Sequence, residues 1–179
     1  MTFSPAILGH MAMLAFSALV AFSFTFGSLV ANDIDPAVIT AIRFVIAVVT
    51  LALVAKALGM SLSFLFKGTW RWMVIGGLMA GYFITMFEAL ALTTPLATAA
   101  VFTLAPLMAA CFGWVLLQLR TVWVTLSALC LGAAGALWVI FRGDLNSLIG
   151  FEVGMGEVLF FFGTIAHAAV PAVTRRLAP

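Results

Sequence analysis

The stretch Ala6–Val30, AILGHMAMLAFSALVAFSFTFGSLV, contains no Asp, Glu, Lys or Arg, and His10 is its only titratable side chain. At a rise of about 1.5 Å per residue, it is long enough to cross the roughly 30 Å of bilayer hydrocarbon as a helix. Five further apolar stretches follow. They are Pro36–Ala57, with Arg43 inside; Trp72–Leu92, with Glu88 near its end; Pro95–Gln118 and Thr121–Phe141, both free of charge; and Gly154–Thr174, with Glu157 at its start and His167 inside. Backbone N–H and C=O groups find no water in hydrocarbon, so segments of this length satisfy them internally, as helices. The short alternating segments of a membrane barrel are absent. Composition agrees: hydrophobic residues form 65% of the chain and charged residues 8%, against about 45–50% and about 25% in soluble domains. The expected fold class is all-α, a polytopic transmembrane bundle of six spans.

The connecting segments orient these spans. Lys56, Lys67, Arg71, Arg120, Arg175 and Arg176 fall on one side, whereas the other side carries only Arg142 beside the acidic Asp33, Asp35, Asp144 and Glu152. Lys/Arg-rich loops stay in the cytoplasm, which places both termini inside a plasma or bacterial inner membrane. The first span has no preceding Lys or Arg and is longer than a secretion-signal core, so it reads as a retained helix. The net charge of +2 is explained by these loops and gives no reason to expect a nucleic-acid partner.

Catalytic and metal signatures are missing. The chain has no Gly-x-Ser-x-Gly, His-Glu-x-x-His or Cys-x-x-Cys pattern, so neither an enzyme, a cofactor nor a metal is expected. Cys111 and Cys130 lie inside spans, where thiols act as small apolar packing residues. Arg142-Gly143-Asp144 reads as a loop end and not as an adhesion signal.

Small residues at fourfold spacing let helices approach in lipid. Gly77 and Gly81 mark such a face on the third span, Ala109 and Gly113 on the fourth, and Gly132 on the fifth. The polar residues within the spans are the functional candidates. Arg43 lies roughly 10 Å deep and Glu88 roughly 6 Å deep from the same side, counting about 1.5 Å per residue. An Arg near mid-membrane costs at least about 2.5–3.5 kcal/mol unless it finds a partner or water. Two arrangements remain open, an Arg43–Glu88 ion pair or two side chains reaching separately for the interface. Pro106 removes a helical hydrogen bond in the middle of the fourth span and can expose a carbonyl to a cavity. Thr98 lies two turns earlier on a similar face.

The run Pro36-Ala37-Val38-Ile39-Thr40-Ala41-Ile42-Arg43-Phe44, followed by Ala47, resembles the second helix of EamA-type carriers of the drug/metabolite transporter superfamily. The series from Tyr82 through Ala89-Leu90-Ala91-Leu92-Thr93-Thr94 to Leu104-Ala105-Pro106-Leu107 resembles their third and fourth helices, and Gly132–Gly135 their fifth. The first helix departs from the pattern: Phe24–Gly27 stands where such carriers often show Trp-Gly and a following Lys. The resemblance implies an EamA-like five-helix repeat over residues 1–141. Residues 142–179 then form an outer loop and the first helix of an incomplete second, inverted repeat. Offsetting the chain by 147 residues sets Gly9 against Gly156, Ser17 against Thr164 and Ala21 against Ala168. The implied function is secondary transport of small metabolites or amino-acid-like solutes by alternating access, as efflux, with Arg43, Glu88, Thr98 and Pro106 along the solute pathway. The implied partners are a small-molecule solute, the lipid bilayer, and either a second copy in a homodimer or a missing second repeat; truncation is the expectation. The alternative is a non-transporting membrane scaffold or interaction subunit.

Overall fold

A computed structural model describes residues 4–60, 68–146 and 153–177. Lys67 and Glu152, counted above among the loop charges, lie outside the described residues. Among the described residues, seven helices make up the six spans: α1 (Pro5–Val30), α2 (Pro36–Ala57), α3 (Thr69–Leu92), α4 (Pro95–Phe102), α5 (Ala105–Leu117), α6 (Trp123–Ile140) and α7 (Met155–Leu177). No strand occurs among the described residues. Among the described residues, six segments are long and apolar enough to cross a membrane, with α4 and α5 together forming the fourth. The all-helical fold and the span count match the sequence reading, and this is a multi-pass membrane protein.

Three helices start with the same local device. Ser4, Asp35 and Thr94 sit at N-cap positions before Pro5, Pro36 and Pro95. The side-chain oxygens accept from backbone amides that have no helical partner: Asp35 Oδ1 from Ala37 and Val38 at 2.9 and 3.2 Å, and Thr94 Oγ1 from Ala97 at 3.2 Å. Proline suits the next position because it lacks the amide hydrogen that would otherwise be orphaned there. At the other end of the fourth span, Gln118 turns left-handed at φ 56°. The Leu119 amide then reaches back to the Gly113 carbonyl at 3.1 Å, closing the last turn of α5.

α3 is the hub. α1 and α2 pack on one side of it, while α7 packs along it and also covers α4 and α5. The buried core draws Phe24 and Ala31 from the first span and its following turn, Tyr82, Met86, Phe87, Ala89 and Leu90 from α3, Val101 from α4 and Phe160 from α7. The α3–α7 seam is the tightest. Thr85, Ala89 and Thr93 form an i+4 ridge on α3, and the antiparallel α7 brings Gly163 and Gly156 over it. A Cβ on Gly156 would lie 2.9 Å from Thr93 Cγ2 and 3.2 Å from the Ala89 carbonyl, and one on Gly163 would overlap the Thr85 hydroxyl. Ridge-into-groove packing at this separation requires glycine.

The small-residue faces expected to pack are placed differently. A Cβ on Gly77, Gly81, Gly113 or Gly132 would meet nothing within 4 Å, and Ala109 on α5 is half-buried. Close approach between helices is carried instead by Gly156 and Gly163, and by Gly27 of α1, whose Cβ would lie 3.0 Å from Leu90 Cδ1. The physical reason is helix rotation. A glycine stripe permits close approach, but the neighbouring surfaces decide which stripe is used.

Candidate functional site

The polar and aromatic side chains of the interior form two connected groups around α3. The first is built on Arg43. Its guanidinium carbon lies 4.7 Å from the Phe83 ring centroid and 5.4 Å from that of Phe87, one helical turn further along α3. Nη2 also donates to the Ser23 hydroxyl of α1 at a long 3.4 Å. Arginine is half-buried here, and the negative faces of two rings stabilise its charge where water is scarce. Phe44, the next residue of α2, meets Phe83 edge-on at 5.7 Å and holds that ring in place. One turn before Arg43, the Thr40 hydroxyl is buried without a hydrogen-bond partner among the described residues.

Glu88 does not join this group. It sits on an exposed face of α3, flanked by the buried Phe87 and Ala89, which point elsewhere. No ion pair links it to Arg43 among the described residues. Of the two arrangements left open for Arg43, the separate one is seen among the described residues, and aromatic rings meet its charge because Phe83 and Phe87 occupy the face of α3 that α2 meets.

The second group lies at mid-height. Tyr82 is ten residues from the end of α3 and His167 ten from the end of α7, which puts both roughly 15 Å into their spans at about 1.5 Å per residue. Their rings lie 4.6 Å apart. Phe102 stacks on His167 at 5.0 Å with the planes only 8° apart, and lies 5.7 Å from Tyr82, so the three rings form a triangle. Phe24 and Phe160 close the cluster, each within 5.8 Å of its aromatic neighbours Phe102 and Tyr82 respectively. His167 Nδ1 is buried and has no hydrogen-bond partner among the described residues. Phe102 is the last residue of α4.

The break in the fourth span adjoins this cluster. Thr103 and Leu104 separate α4 from α5, and Pro106 follows in the first turn of α5. Having no amide hydrogen, Pro106 cannot donate to the Phe102 carbonyl, so a polar backbone group is freed beside the aromatic rings. Thr103 folds back locally, its hydroxyl donating to the Ala100 carbonyl at 2.7 Å. Thr98 is fully buried and donates to the Thr94 carbonyl at 3.0 Å, so its hydroxyl serves α4 itself.

One carboxylate that the sequence reading did not select is Glu157. It is only 7% exposed and accepts a 2.5 Å hydrogen bond from the Thr93 hydroxyl. At the opposite end of α7, Arg176 Nη1 donates to the Leu116 carbonyl at 2.6 Å. That carbonyl belongs to the last turn of α5, where helical donors have run out. α7 is therefore pinned at both ends, by an acid on one side and a base on the other. The signal available in sequence was the Gly156-Glu157 pair together with Gly163, Thr164, Ala168 and Ala172, which share one face at helical spacing.

Groups of His, Cys, Asp and Glu able to hold a metal are absent among the described residues. The chemistry on offer is binding: ring faces, a guanidinium, a free carbonyl and an unpaired imidazole nitrogen around a discontinuous helix. No curated protein and no solved structure matches the chain significantly. The family model described as EamA-like transporter family matches residues 7–141, which takes in α1 to α6 with the Arg43 shelf and the broken fourth span. The chain belongs to the EamA-like transporter family.

Proposed function

We propose that this chain is a carrier domain that moves small organic solutes, metabolites or amino-acid-like molecules, across the membrane by alternating access, in the efflux direction. The observation that carries this reading is the interruption of the fourth span beside Tyr82, Phe102 and His167 at mid-bilayer height. Discontinuous helices at the midplane put unbonded backbone groups where a solute passes. Aromatic walls with a few polar groups suit organic solutes better than bare ions. Arg43, one layer nearer the acidic end of the bundle, would contact a charged portion of the solute, with Pro106 maintaining the break. The basic residues Lys56, Arg71, Arg120, Arg175 and Arg176 support an orientation with both termini in the cytoplasm of a bacterial inner or plasma membrane. No enzymatic step is assigned.

The test is flux. Full-length protein reconstituted in sealed vesicles loaded with labelled amino acids and small metabolites should release at least one of them faster than protein-free vesicles, and Arg43→Ala should slow that release. Release no faster than from protein-free vesicles across such a panel would overturn the transport reading and favour a scaffold.

A further inference from the structure

At the basic end of the bundle, α5 and α6 separate around the turn that follows Gln118. The space between them is a groove of about 630 Å³, with Leu107, Ala110 and Leu126 deep inside and Trp114, Arg120 and Trp123 nearer its mouth. Leu107 to Trp114 is seven residues of α5, so the apolar floor runs roughly 10 Å into the span at about 1.5 Å per residue. Trp114 and Trp123 are 59% and 84% exposed, at the level where amphipathic indoles prefer the interface between headgroups and hydrocarbon. Arg120 makes no hydrogen bond or ion pair among the described residues. Arg176, in the last turn of α7, is committed to the Leu116 carbonyl, whereas Arg120 is the open cation at the mouth.

We propose that this groove is a binding site for one anionic phospholipid. The gradation from cation to indoles to apolar floor matches, in order, a lipid phosphate, its glycerol region and an acyl chain. A water-soluble anion would use Arg120 but not the floor. A zwitterionic lipid would offer the same chain, but its own ammonium group would offset the attraction of its phosphate to Arg120. Basic pockets between transmembrane helices bind anionic headgroups through this combination of charge and depth. The proposal does not depend on the transport reading.

Native mass spectrometry of the detergent-purified full chain provides the test. Phosphatidylglycerol should form its first adduct about fivefold more tightly than phosphatidylcholine with the same acyl chains, the equivalent of one cation near the surface. Arg120→Gln, on an exposed turn, should abolish that preference, whereas Lys56→Gln, which removes a charge at the same end from α2, should leave it intact. Ala110→Trp, which fills the floor, should weaken phosphatidylglycerol binding with Arg120 still present. Equal binding of the two lipids would overturn the proposal, as would equal losses from Arg120→Gln and Lys56→Gln. Competition by inorganic phosphate, with Ala110→Trp having no effect, would reduce the site to a bare anion contact and overturn it too.

Discussion

The Thr93 hydroxyl donates to the Glu157 carboxylate at 2.5 Å, joining the end of α3 to the start of α7 across 64 residues of sequence. It sits at the end of the seam where Gly156 crosses Thr93 and Ala89. A buried carboxylate that loses its donor carries the full desolvation penalty, about 1–3 kcal/mol and more when charged. Thr93→Val keeps the shape and removes the donor, so it should lower the melting temperature in detergent, while Thr93→Ser should stay near the parent. Identical melting of Thr93→Val and parent would show that the bond contributes nothing.

The glycines divide into two kinds. Gly156→Ala forces a methyl against the Thr93 side chain and a backbone carbonyl, and overpacking of that sort costs about 1–3 kcal/mol. Gly77→Ala enters open space, and alanine is the better helix former by about 1 kcal/mol. The first substitution should destabilise and the second should be neutral or mildly stabilising, as read by the same thermal melts. Equal losses would mean that the Gly77 face is covered.

Arg43→Ala should reduce solute flux in reconstituted vesicles while membrane insertion, checked by protease protection, is unchanged. Arg43→Lys should recover little, because an ammonium lacks the planar face that stacks over Phe83 and Phe87. The charge exchange Arg43→Glu with Glu88→Arg should not restore flux, since no ion pair joins those residues; restoration would re-establish them as a pair.

Pro106→Ala returns an amide donor to the middle of the fourth span. The variant should gain thermal stability, within the roughly 3 kcal/mol that a proline costs a helix interior, and should lose flux as α4 and α5 straighten into one helix. Unchanged flux would remove the break from the mechanism.

Hydrophobic length was enough to read the spans. α2 falls on Pro36–Ala57 as expected, whereas the break between Phe102 and Ala105 lies just before Pro106, whose missing amide was the only local signal for it. What stayed hidden depends on helix rotation. Glu88 and Glu157 both lie within two turns of the same end of the bundle, yet the first faces outward and the second is buried under Thr93. Arg43 announced that it needed a partner, but rings and carboxylates both supply negative potential, and only the packing of α2 on α3 chose Phe83 and Phe87. Likewise Gly77 and Gly163 are chemically identical; what differs is the surface each one meets.

The seam between α3 and α7 also sets the order of assembly. α3 is fully synthesised long before α7 leaves the ribosome, so its Thr85-Ala89-Thr93 ridge first faces lipid, or whatever helix comes to hand. Neighbouring helices can pair as they insert, but α3 waits for a partner from much later in the chain. Insertion and final packing are therefore separate events for this protein, and a nascent chain stalled before Met155 would carry Tyr82, Met86 and Ala89 on an unfinished surface.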